Sequence, residues 1–324
     1  MMTYAIRMHA NGGPEVMKWE QVPTPQPGPN EALVHHEAVG LNYIDVYFRT
    51  GLYKAPLPAT PGMEGAGTVV SVGEEVRDLS PGDRVAYAGG PIGAYATERV
   101  IGADRLVKLP AAIDFKTGAA MMLQGMTAQY LLRRTFKVEK GQTILVHAAA
   151  GGVGLILCQW ASHLGATVIG VVSTEQKAEL AHANGAHHTI IGHANLAAEV
   201  KRITQGAMVP VVYDSVGKDT FNASLDCLAP LGMMVSYGSA SGPPAPIEVA
   251  LLAAKGSLFL TRPTLATYTA SHADLLAVSG DLFAAVTSGA VKIQVNQTFP
   301  LADAAAAHIA LEARRTTGST VLLP

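Results

Sequence analysis

The spacing of apolar and polar residues changes along the chain and divides it into regions with different predicted structure. The first 110 residues contain short apolar runs, such as EALVHHEAVGL and GAGTVVSVG, separated by Pro/Gly clusters. This spacing is typical of a barrel-like β domain. From Asp114, a suitable helix N-cap, the stretch DFKTGAAMMLQGMTAQYLLRRTF carries apolar residues at helical spacing and predicts a helix.

Strands and helices are predicted to alternate between about residues 140 and 260. The predicted strands are TILVHA, TVIGVVS, HTII, VPVVYDSVG, GMMVSYGS and GSLFLT. The segments between them predict helices, including one around FNASLDCLAPL. Strands that are apolar on both faces and alternate with helices are typical of a parallel, doubly wound sheet, so the predicted fold class is α/β. After residue 265 we expect the helices SHADLLAVSGDLFAAVTSG and LADAAAAHIALEARR, with a strand between them.

The composition excludes several kinds of protein. The 324 residues are 49% hydrophobic and 15% charged, which excludes a disordered chain and allows two domains. The net charge is −2 and there is no basic cluster, so neither nucleic acid nor an anionic membrane surface is an expected partner. We expect no signal peptide and no membrane-spanning segment. Cys158 and Cys227 are expected to be reduced thiols, which suits a cytoplasmic protein.

The strongest local signal is the glycine-rich segment HAAAGGVGLILCQW, which follows a predicted strand and opens a predicted helix. Small residues occupy all three positions of a G-x-G-x-x-G fingerprint, namely Ala149, Gly151 and Gly154. They allow a tight turn, close approach of backbone N–H groups to a pyrophosphate, and packing of the helix on the sheet. The alternative is a tight strand–helix turn with no ligand. The predicted cofactor-binding residues here are Ala150, Gly151, Gly152, Val153 and Gly154.

The stretch VIGVVSTEQKAEL predicts the second strand of this unit and the helix after it. An acidic residue at the strand end would accept hydrogen bonds from both adenosine ribose hydroxyls and repel a 2′-phosphate. The chain instead has Ser173 there, and Lys177 lies within one turn of the helix N-terminus. These side chains tolerate or attract a phosphate, so the predicted cofactor is NADPH rather than NADH. The alternative is that Lys177 is an ordinary solvated lysine.

Eight motifs spread over the chain occur in one order: HANGGPEVM, AVGLNYIDVYFRTGLY, PGMEGAGTVVSVG, GDRVAY, HAAAGGVG, VVYDSVG, KGSLFLTRP and EARRTTGS. By these motifs the chain resembles the medium-chain dehydrogenase/reductase superfamily, and within it the zinc-independent, zeta-crystallin-like quinone oxidoreductases. The resemblance implies a GroES-like β-barrel catalytic domain formed by residues 1–123 and 265–324. It also implies a Rossmann NADPH-binding domain formed by residues 124–264.

The chain departs from the zinc alcohol dehydrogenases of the same superfamily at two ligand positions. Asn42 stands where their pattern has a Cys ligand, and Met63 stands where it has a His. Neither side chain supplies a thiolate or an imidazole, so no catalytic zinc is expected. Reduction of a quinone does not need a catalytic zinc, because the hydroquinone anion formed by hydride transfer spreads its negative charge over an aromatic ring. The other possible group of metal ligands is His182, His187, His188 and His193. We expect these histidines to lie at a helix end and in a surface loop instead of binding a metal.

The resemblance also implies the residues that line the reaction site. The candidate substrate-side residues are Asn42, Asp45, Tyr47 and Tyr53. Alternatively, Asp45 caps local structure and the tyrosines pack in the wall. The candidate cofactor-proximal residues beyond the glycine-rich turn are Gln124, Thr127, Ser215, Gly217, Gly238, Ser239, Ala240, Ser241, Arg262 and Arg314, the last placed for a phosphate. Where related bacterial proteins often carry a Tyr, this chain has Gly192, which removes an aromatic contact to the adenosine phosphate.

These features favour an NADPH-dependent quinone reductase that acts on a small-molecule quinone without zinc. The alternatives are an NADPH-dependent 2-alkenal or enone reductase, in which Tyr47 or Tyr53 would matter more as proton donors, and a mainly non-catalytic NADPH-binding protein. We further expect a homodimer that pairs through an edge strand near residues 256–262, because an exposed apolar edge otherwise invites aggregation.

Overall fold

The computed structural model describes residues 2–324, and over these residues the chain forms fifteen β-strands and ten α-helices. The strands are β1 Met2–Met8, β2 Met17–Pro23, β3 Glu31–Leu41, β4 Glu64–Val72, β5 Arg84–Ala88, β6 Glu98–Gly102, β7 Val107–Lys108, β8 Thr143–His147, β9 Thr167–Val172, β10 His188–Ile191, β11 Val209–Asp214, β12 Leu228–Ser236, β13 Phe259–Thr261, β14 Val295–Pro300 and β15 Ser319–Leu323.

The α-helices are α1 Tyr43–Thr50, α2 Phe115–Tyr130, α3 Gly152–His163, α4 Glu175–Ala183, α5 Leu196–Ile203, α6 Phe221–Leu225, α7 Ala250–Ala254, α8 Leu265–Tyr268, α9 His272–Thr287 and α10 Ala304–Glu312. A π-helical turn, Leu131–Thr135, follows α2. Short 3₁₀ turns are Pro14–Val16, Ala103–Arg105 and Leu301–Asp303.

The chain forms two compact units. Unit 1 comprises the described residues up to Met126 together with Thr269–Thr287 and Ile293–Pro324. Unit 2 comprises Thr127–Tyr268 and Ser288–Lys292. The sequence predicts boundaries at residues 123/124 and 264/265, within a few residues of those in the structure, but it gives no sign that Ser288–Lys292 belongs to the second unit.

Unit 1 is built around a seven-stranded, mostly antiparallel sheet. Its strand order is β14-β15-β3-β4-β5-β7, and β6 pairs with β3 beside this path. Strands β1 and β2 form a separate antiparallel pair. The apolar side chains of these strands meet in one buried core that includes Val34, Val69, Val85 and Leu322. The core holds β3 in place, and the candidate substrate-side residues follow the carboxyl end of this strand.

Unit 2 contains the predicted parallel, doubly wound sheet. Its order is β10-β9-β8-β11-β12-β13, and every neighbouring pair is parallel. The central strands are buried on both faces, as the fully enclosed Leu145, Ile169, Val212 and Met234 show, because helices cover such a sheet from both sides. In sheets of this kind, ligands bind beyond the carboxyl ends of the strands, where the strand order reverses.

One predicted helix is wrong over half its length. The segment FNASLDCLAPL was predicted to be helical, but α6 ends at Leu225 and β12 begins at Leu228. Leu228, the first residue of β12, pairs with Val209 of β11, so tertiary strand pairing overrides the local helical pattern there. Both cysteines are free and buried, as predicted. Over residues 2–324, no helix is both long and apolar enough to cross a membrane.

Candidate active site

The glycine-rich turn of unit 2 forms a cradle at the N-terminus of α3. The backbone turns at Ala148, which has a φ of +50°, and α3 starts at Gly152 with Gly151 as its N-cap. A Cβ on Gly154 would lie 2.1 Å from the carbonyl oxygen of Ala148, so only glycine fits there. The free N–H groups of the first helical turn favour an anion, and the cradle therefore fits the pyrophosphate of a dinucleotide.

The end of β9 carries the side chains predicted to select the cofactor. Ser173 is exposed directly after β9, and Thr174 caps α4, accepting a hydrogen bond from the backbone N–H of Lys177 at 3.3 Å. Lys177 thus lies in the first turn of α4. The N–H of Gly192 donates to the carbonyl of Val172 at 2.8 Å, which places the end of β10 beside this strand end. No carboxylate side chain occupies residues 172–174.

Two loops meet at the carboxyl ends of β11 and β12. The N–H of Ala240 donates to the carbonyl of Ser215 at 3.1 Å, and the N–H of Ser241 donates to that of Val216 at 2.9 Å. A Cβ on Gly217 would lie 2.5 Å from the Gly242 carbonyl oxygen, so the loops approach as closely as glycine allows. The predicted residues Gly238 and Ser239 belong to the same pair of loops.

A buried carboxylate, Asp214, holds the first of these loops. Its Oδ1 accepts from the N–H groups of Val216 at 2.8 Å and Gly217 at 3.1 Å. Its Oδ2 accepts from the hydroxyls of Thr220 at 2.7 Å and Ser224 at 2.9 Å. We call these residues the Asp214 network. Since both carboxylate oxygens have two donors, Asp214 fixes the loop conformation.

Two predicted cofactor-proximal residues are anchored within unit 2, and one lies in unit 1. Arg262 follows β13 and donates from Nη1 to the carbonyl of Ser236, the last residue of β12, at 2.8 Å. Thr127 is buried on α2, where it hydrogen-bonds Tyr130. Arg314 lies in unit 1, exposed after α10 with a φ of +58°.

In unit 1, the predicted residues Asn42 and Gln124 lie in one buried polar cluster with Glu64. The Nδ2 of Asn42 donates to Glu64 Oε2 at 2.6 Å, and the Nε2 of Gln124 donates to Asn42 Oδ1 at 3.2 Å. The backbone N–H of Leu123 donates to Glu64 Oε1 at 2.8 Å. All three side chains are almost fully enclosed. A Cβ on Gly40 would lie 2.3 Å from Glu64 Oε2, so a glycine on β3 makes room for this carboxyl group.

Asp45 holds Asn42 through its backbone, whereas Glu64 holds it through its side chain. Its Oδ2 accepts from the backbone N–H of Asn42 at 2.9 Å and from the hydroxyl of Tyr95 at 3.0 Å. Among the described residues, its Oδ1 has no hydrogen-bond partner although it is buried. Burial raises the pKa of Asp45 to about 7 and that of Glu64 to about 8, against the opposing effect of the hydrogen bonds they accept.

The candidate tyrosines form an aromatic group at the end of α1. The rings of Tyr47 and Tyr53 meet edge to face with their centroids 5.3 Å apart, and Tyr43 lies 5.6 Å from Tyr47. The N–H of Tyr53 donates to the carbonyl of Tyr47 at 3.0 Å, which ties the loop after α1 to the helix. The structure thus brings Tyr47 and Tyr53 together, with Tyr47 buried and Tyr53 partly exposed.

Comparisons with known proteins agree over the whole chain. Family models match residues 28–111 as an alcohol dehydrogenase GroES-like domain and residues 152–271 as a zinc-binding dehydrogenase. A quinone oxidoreductase of Pseudomonas aeruginosa is 53% identical, and the match covers 100% of both chains. A 2-haloacrylate reductase of a Burkholderia species is 47% identical over 100% of this chain and 99% of its own. The structure of the Escherichia coli quinone oxidoreductase complexed with NADPH superposes with a TM-score of 0.97 at 46% identity, covering 99% of this chain and 100% of that one.

The chain belongs to the quinone oxidoreductase family. Within this family it has the GroES-like and Rossmann architecture that the sequence motifs implied, and the resemblance is therefore confirmed.

The donor set of this quinone oxidoreductase does not fit a catalytic zinc, although one matching model is named after zinc. Asn42 uses its amide nitrogen to hydrogen-bond Glu64, and Met63 offers only a thioether. Within residues 2–324, no three His, Cys, Asp or Glu side chains are grouped so that they could hold a metal ion. In the histidine-rich segment, His182 bonds the carbonyl of Ala186 at 2.8 Å, and His187 accepts from the N–H of Val168 at 3.1 Å.

Sequence reasoning missed Glu64, which belongs to the buried polar cluster, and Tyr95, which donates to Asp45. It also missed His308, whose Nε2 lies 3.0 Å from the Tyr95 hydroxyl, and Arg49, whose Nη1 lies 3.2 Å from His308 Nδ1. A signal existed for two of them. Glu64 opens an otherwise apolar strand, and His308 interrupts an Ala-rich helix, so each is a polar residue in an apolar setting. Nothing in the sequence pairs residues 95 and 308, which the fold brings to hydrogen-bond distance.

Proposed function

We propose that the protein is an NADPH-dependent quinone oxidoreductase that works without a metal ion. The observation that carries this proposal is the hydrogen bond that the Asn42 amide donates to Glu64. Asn42 stands at the position where the zinc alcohol dehydrogenases have a Cys ligand. An acceptor whose reduced form spreads its negative charge over a ring needs no Lewis acid. A quinone is such an acceptor, and the names of the full-length relatives support it.

Bound NADPH supplies the reducing equivalents from its nicotinamide ring. The residues of this chain that would hold it are those of the cradle before α3, where the backbone N–H groups of Gly152 and Val153, in the first turn of the helix, would bind the pyrophosphate. Ser173 and Lys177 would bind the 2′-phosphate, since neither repels an anion. The loops that start at Ser215 and Gly238 would border the rest of the cofactor.

On the substrate side, Asn42 and Gln124 present amide groups that are held in one orientation by buried partners. Pre-oriented donors stabilise developing negative charge without reorganisation at the moment of reaction. The buried carboxyl groups of Asp45 and Glu64 keep Asn42 in place from its backbone and its side chain, respectively. We therefore assign Asn42 to the stabilisation of the reduced acceptor, with Tyr47 and Tyr53 forming its aromatic surroundings.

A second candidate reaction is the reduction of activated carbon–carbon double bonds. It is favoured by the 47% identity to a 2-haloacrylate reductase over the full chain. There the hydride adds to carbon and the enolate needs a proton, for which Tyr47 is the candidate donor. Replacement of Tyr47 by Phe would then abolish turnover of 2-alkenals while leaving quinone reduction within about a factor of two to three.

The test is NADPH oxidation by chelator-treated protein with 1,4-benzoquinone, a naphthoquinone and a 2-alkenal in parallel. We expect the quinones to be turned over fastest and chelation to have no effect. Turnover of the alkenal alone would replace the first function by the second. A loss of activity on chelation that zinc restores would contradict the metal-free assignment. Binding of NADPH without any turnover would support a mainly non-catalytic cofactor-binding protein.

We also propose that the protein is a cytoplasmic homodimer. Strand β13 lies at the edge of the unit 2 sheet and exposes Phe259 and Leu260, while Val249 is also largely exposed. Edge pairing with a second copy would cover this apolar edge. The two buried, unpaired cysteines suit a reducing compartment. Light scattering should give a dimer for the wild type and a monomer for Leu260→Lys, whereas a monomeric wild type would refute the proposal.

A further inference from the structure

A line of buried hydrogen bonds in unit 1 runs from the surface to Asp45. Glu312, which is partly exposed, receives two hydrogen bonds of 2.8 Å from the guanidinium of Arg49. Arg49 Nη1 lies 3.2 Å from His308 Nδ1, and His308 Nε2 lies 3.0 Å from the Tyr95 hydroxyl. Tyr95 in turn contacts Asp45 Oδ2 at 3.0 Å. We call Arg49, His308, Tyr95 and Asp45 the Asp45 network.

Each hydrogen bond in this network has only one possible direction. A guanidinium can only donate, so His308 Nδ1 accepts and the ring proton lies on Nε2. That proton is donated to the Tyr95 oxygen, and the Tyr95 hydroxyl must therefore donate to Asp45. Burial, and secondarily the charge of Arg49, lower the pKa of His308 to about 3, which keeps this neutral tautomer at ordinary pH.

The fold makes specific room for this arrangement. Residues from α1, from the segment before β6 and from α10 converge on it, and Arg49, Tyr95 and His308 are essentially inaccessible to solvent. Gly62, with a φ of +94°, allows the Tyr95 ring to enter, because a Cβ there would lie 2.3 Å from Tyr95 Cδ1. Tyr95 and His308 also meet edge to face, with centroids 5.8 Å apart.

The network ends on the group that holds Asn42. Asp45 Oδ2 accepts from both Tyr95 and the Asn42 backbone, whereas Oδ1 has no partner among the described residues. Loss of the Tyr95 bond would leave Asp45 with one donor and let the first turn of α1 move. The side-chain bonds of Asn42 to Glu64 and Gln124 depend on that turn.

We propose that Arg49, His308 and Tyr95 are positioning residues for quinone reduction, acting through Asp45 on Asn42. This inference rests on the function proposed above. Hydrogen bonds donated to an ionised carboxylate are the stronger ones, so Asn42 is held best when Asp45 is ionised. Turnover should consequently fall as the pH drops through the Asp45 titration.

The titratable and charged groups around Asp45 determine how its pKa, and with it the pH dependence of turnover, changes when one of them is replaced. These titratable or charged groups are Arg49, Glu64, Tyr87, Tyr95 and His308. The Tyr95 hydrogen bond lowers the pKa of Asp45 against the dominant effect of burial. Removing the hydroxyl raises that pKa further, so the acid limb of kcat should move to higher pH.

The experiment compares wild type with Tyr95→Phe, using NADPH and 1,4-benzoquinone across pH 5.5–9 (chosen to bracket about 7). We expect kcat at pH 7 to fall roughly tenfold, since one hydrogen bond to a charged group is lost. The acid limb should shift upward by about one unit, and the dissociation constant of NADPH, measured by fluorescence, should stay within about a factor of two. The matched control is Tyr213→Phe, which removes a buried 3.0 Å hydrogen bond from the hydroxyl to the carbonyl of Leu131 in unit 2 and does not touch the Asp45 network.

A second pair of variants keeps the inference testable if Tyr95→Phe does not fold. The amide of His308→Gln can accept from Arg49 and donate to Tyr95, so it should retain at least about half of the wild-type kcat, whereas His308→Leu should lose as much as Tyr95→Phe. Wild-type kcat and pH profile in both Tyr95→Phe and His308→Leu would overturn the inference. An equal loss in Tyr213→Phe would also overturn it. A wild type that reduces no quinone would remove the proposed function itself, and the inference with it.

Discussion

Asp45, in the first turn of α1 in unit 1, and Asp214, the last residue of β11 in unit 2, are both fully buried aspartates, but their surroundings differ. Asp214 accepts four hydrogen bonds, two on each oxygen. Asp45 accepts two, both on Oδ2. A buried carboxylate whose oxygens all have donors stabilises the structure around it. Burial raises the pKa of Asp45 to about 7, so this carboxyl group titrates near neutral pH. We therefore assign Asp214 to the architecture of the cofactor loops and Asp45 to the reaction.

The two units as a whole show the same difference. In unit 2 the candidate cofactor residues are backbone N–H groups and largely solvent-accessible side chains, and the buried Asp214 has two donors on each oxygen. Unit 1 concentrates buried side chains with perturbed pKa values around Asn42. Substitutions in the Asp214 network should accordingly cost stability, and those around Asp45 should cost turnover.

The largest effect is expected for Asp214→Ala. The change leaves two backbone N–H groups and two hydroxyls without their acceptor, and each buried unsatisfied group costs about 1–3 kcal/mol. We expect a loss of at least about 3 kcal/mol in the free energy of unfolding, measured by denaturant titration. A loss below about 1 kcal/mol would show that Asp214 is not the support of these loops.

A smaller effect concerns the pH dependence of stability. The pKa values of Asp45 and Glu64 are raised on folding to about 7 and about 8, so the folded state binds more protons than the unfolded state up to about pH 8. These groups therefore contribute stability at low pH that is lost as the pH rises. Between about pH 7 and 8.5 the wild type should lose roughly 1–2 kcal/mol.

The control for this prediction is Glu64→Gln, whose loss over the same window should be clearly smaller. Buried histidines do not obscure the comparison. Burial lowers the pKa of His36 to about 4 and that of His308 to about 3, so their contribution is lost only as the pH falls below the unfolded value near 6.5. An identical slope in wild type and Glu64→Gln would contradict the assignment.

The smallest effect is expected at the first turn of α4 in unit 2, where Lys177 lies. Lys177→Ala should raise the KM for NADPH several-fold, because a partly exposed cation contributes modestly to phosphate binding. Turnover with NADH and the free energy of unfolding should not change. If the wild type uses NADH as well as NADPH, the cofactor assignment to Ser173 and Lys177 fails.

The sequence predicted the parts of this molecule that depend on local pattern. The strand–cradle–helix unit at Gly151 and the parallel sheet follow from spacing and small residues alone. The helix predicted over FNASLDCLAPL ends at Leu225 because β12 begins at Leu228, which pairs with Val209 of β11. Local pattern carries no information about such pairing.

The candidate site was predicted only in part. Asn42, Asp45 and Gln124 were named in advance, and the structure joins all three to one buried polar cluster. Tyr95, His308 and Arg49 were not, since their importance arises from contacts across 50 to 259 residues of sequence. The difference between Asp45 and Asp214 is likewise invisible in the sequence, because it lies in the number of donors that the fold directs at each oxygen.

The most direct test measures kcat for 1,4-benzoquinone and the free energy of unfolding on the same preparations of Asp45→Asn and Asp214→Asn. We predict that one variant loses turnover and the other loses stability. Asp45→Asn should lose at least about tenfold in kcat, with a change in unfolding free energy within about 1 kcal/mol, and its pH profile should lack the limb near 7. Asp214→Asn should have a lower free energy of unfolding, and the kcat of its folded fraction should equal that of the wild type. Equal losses of stability and unchanged turnover in both variants would contradict the account.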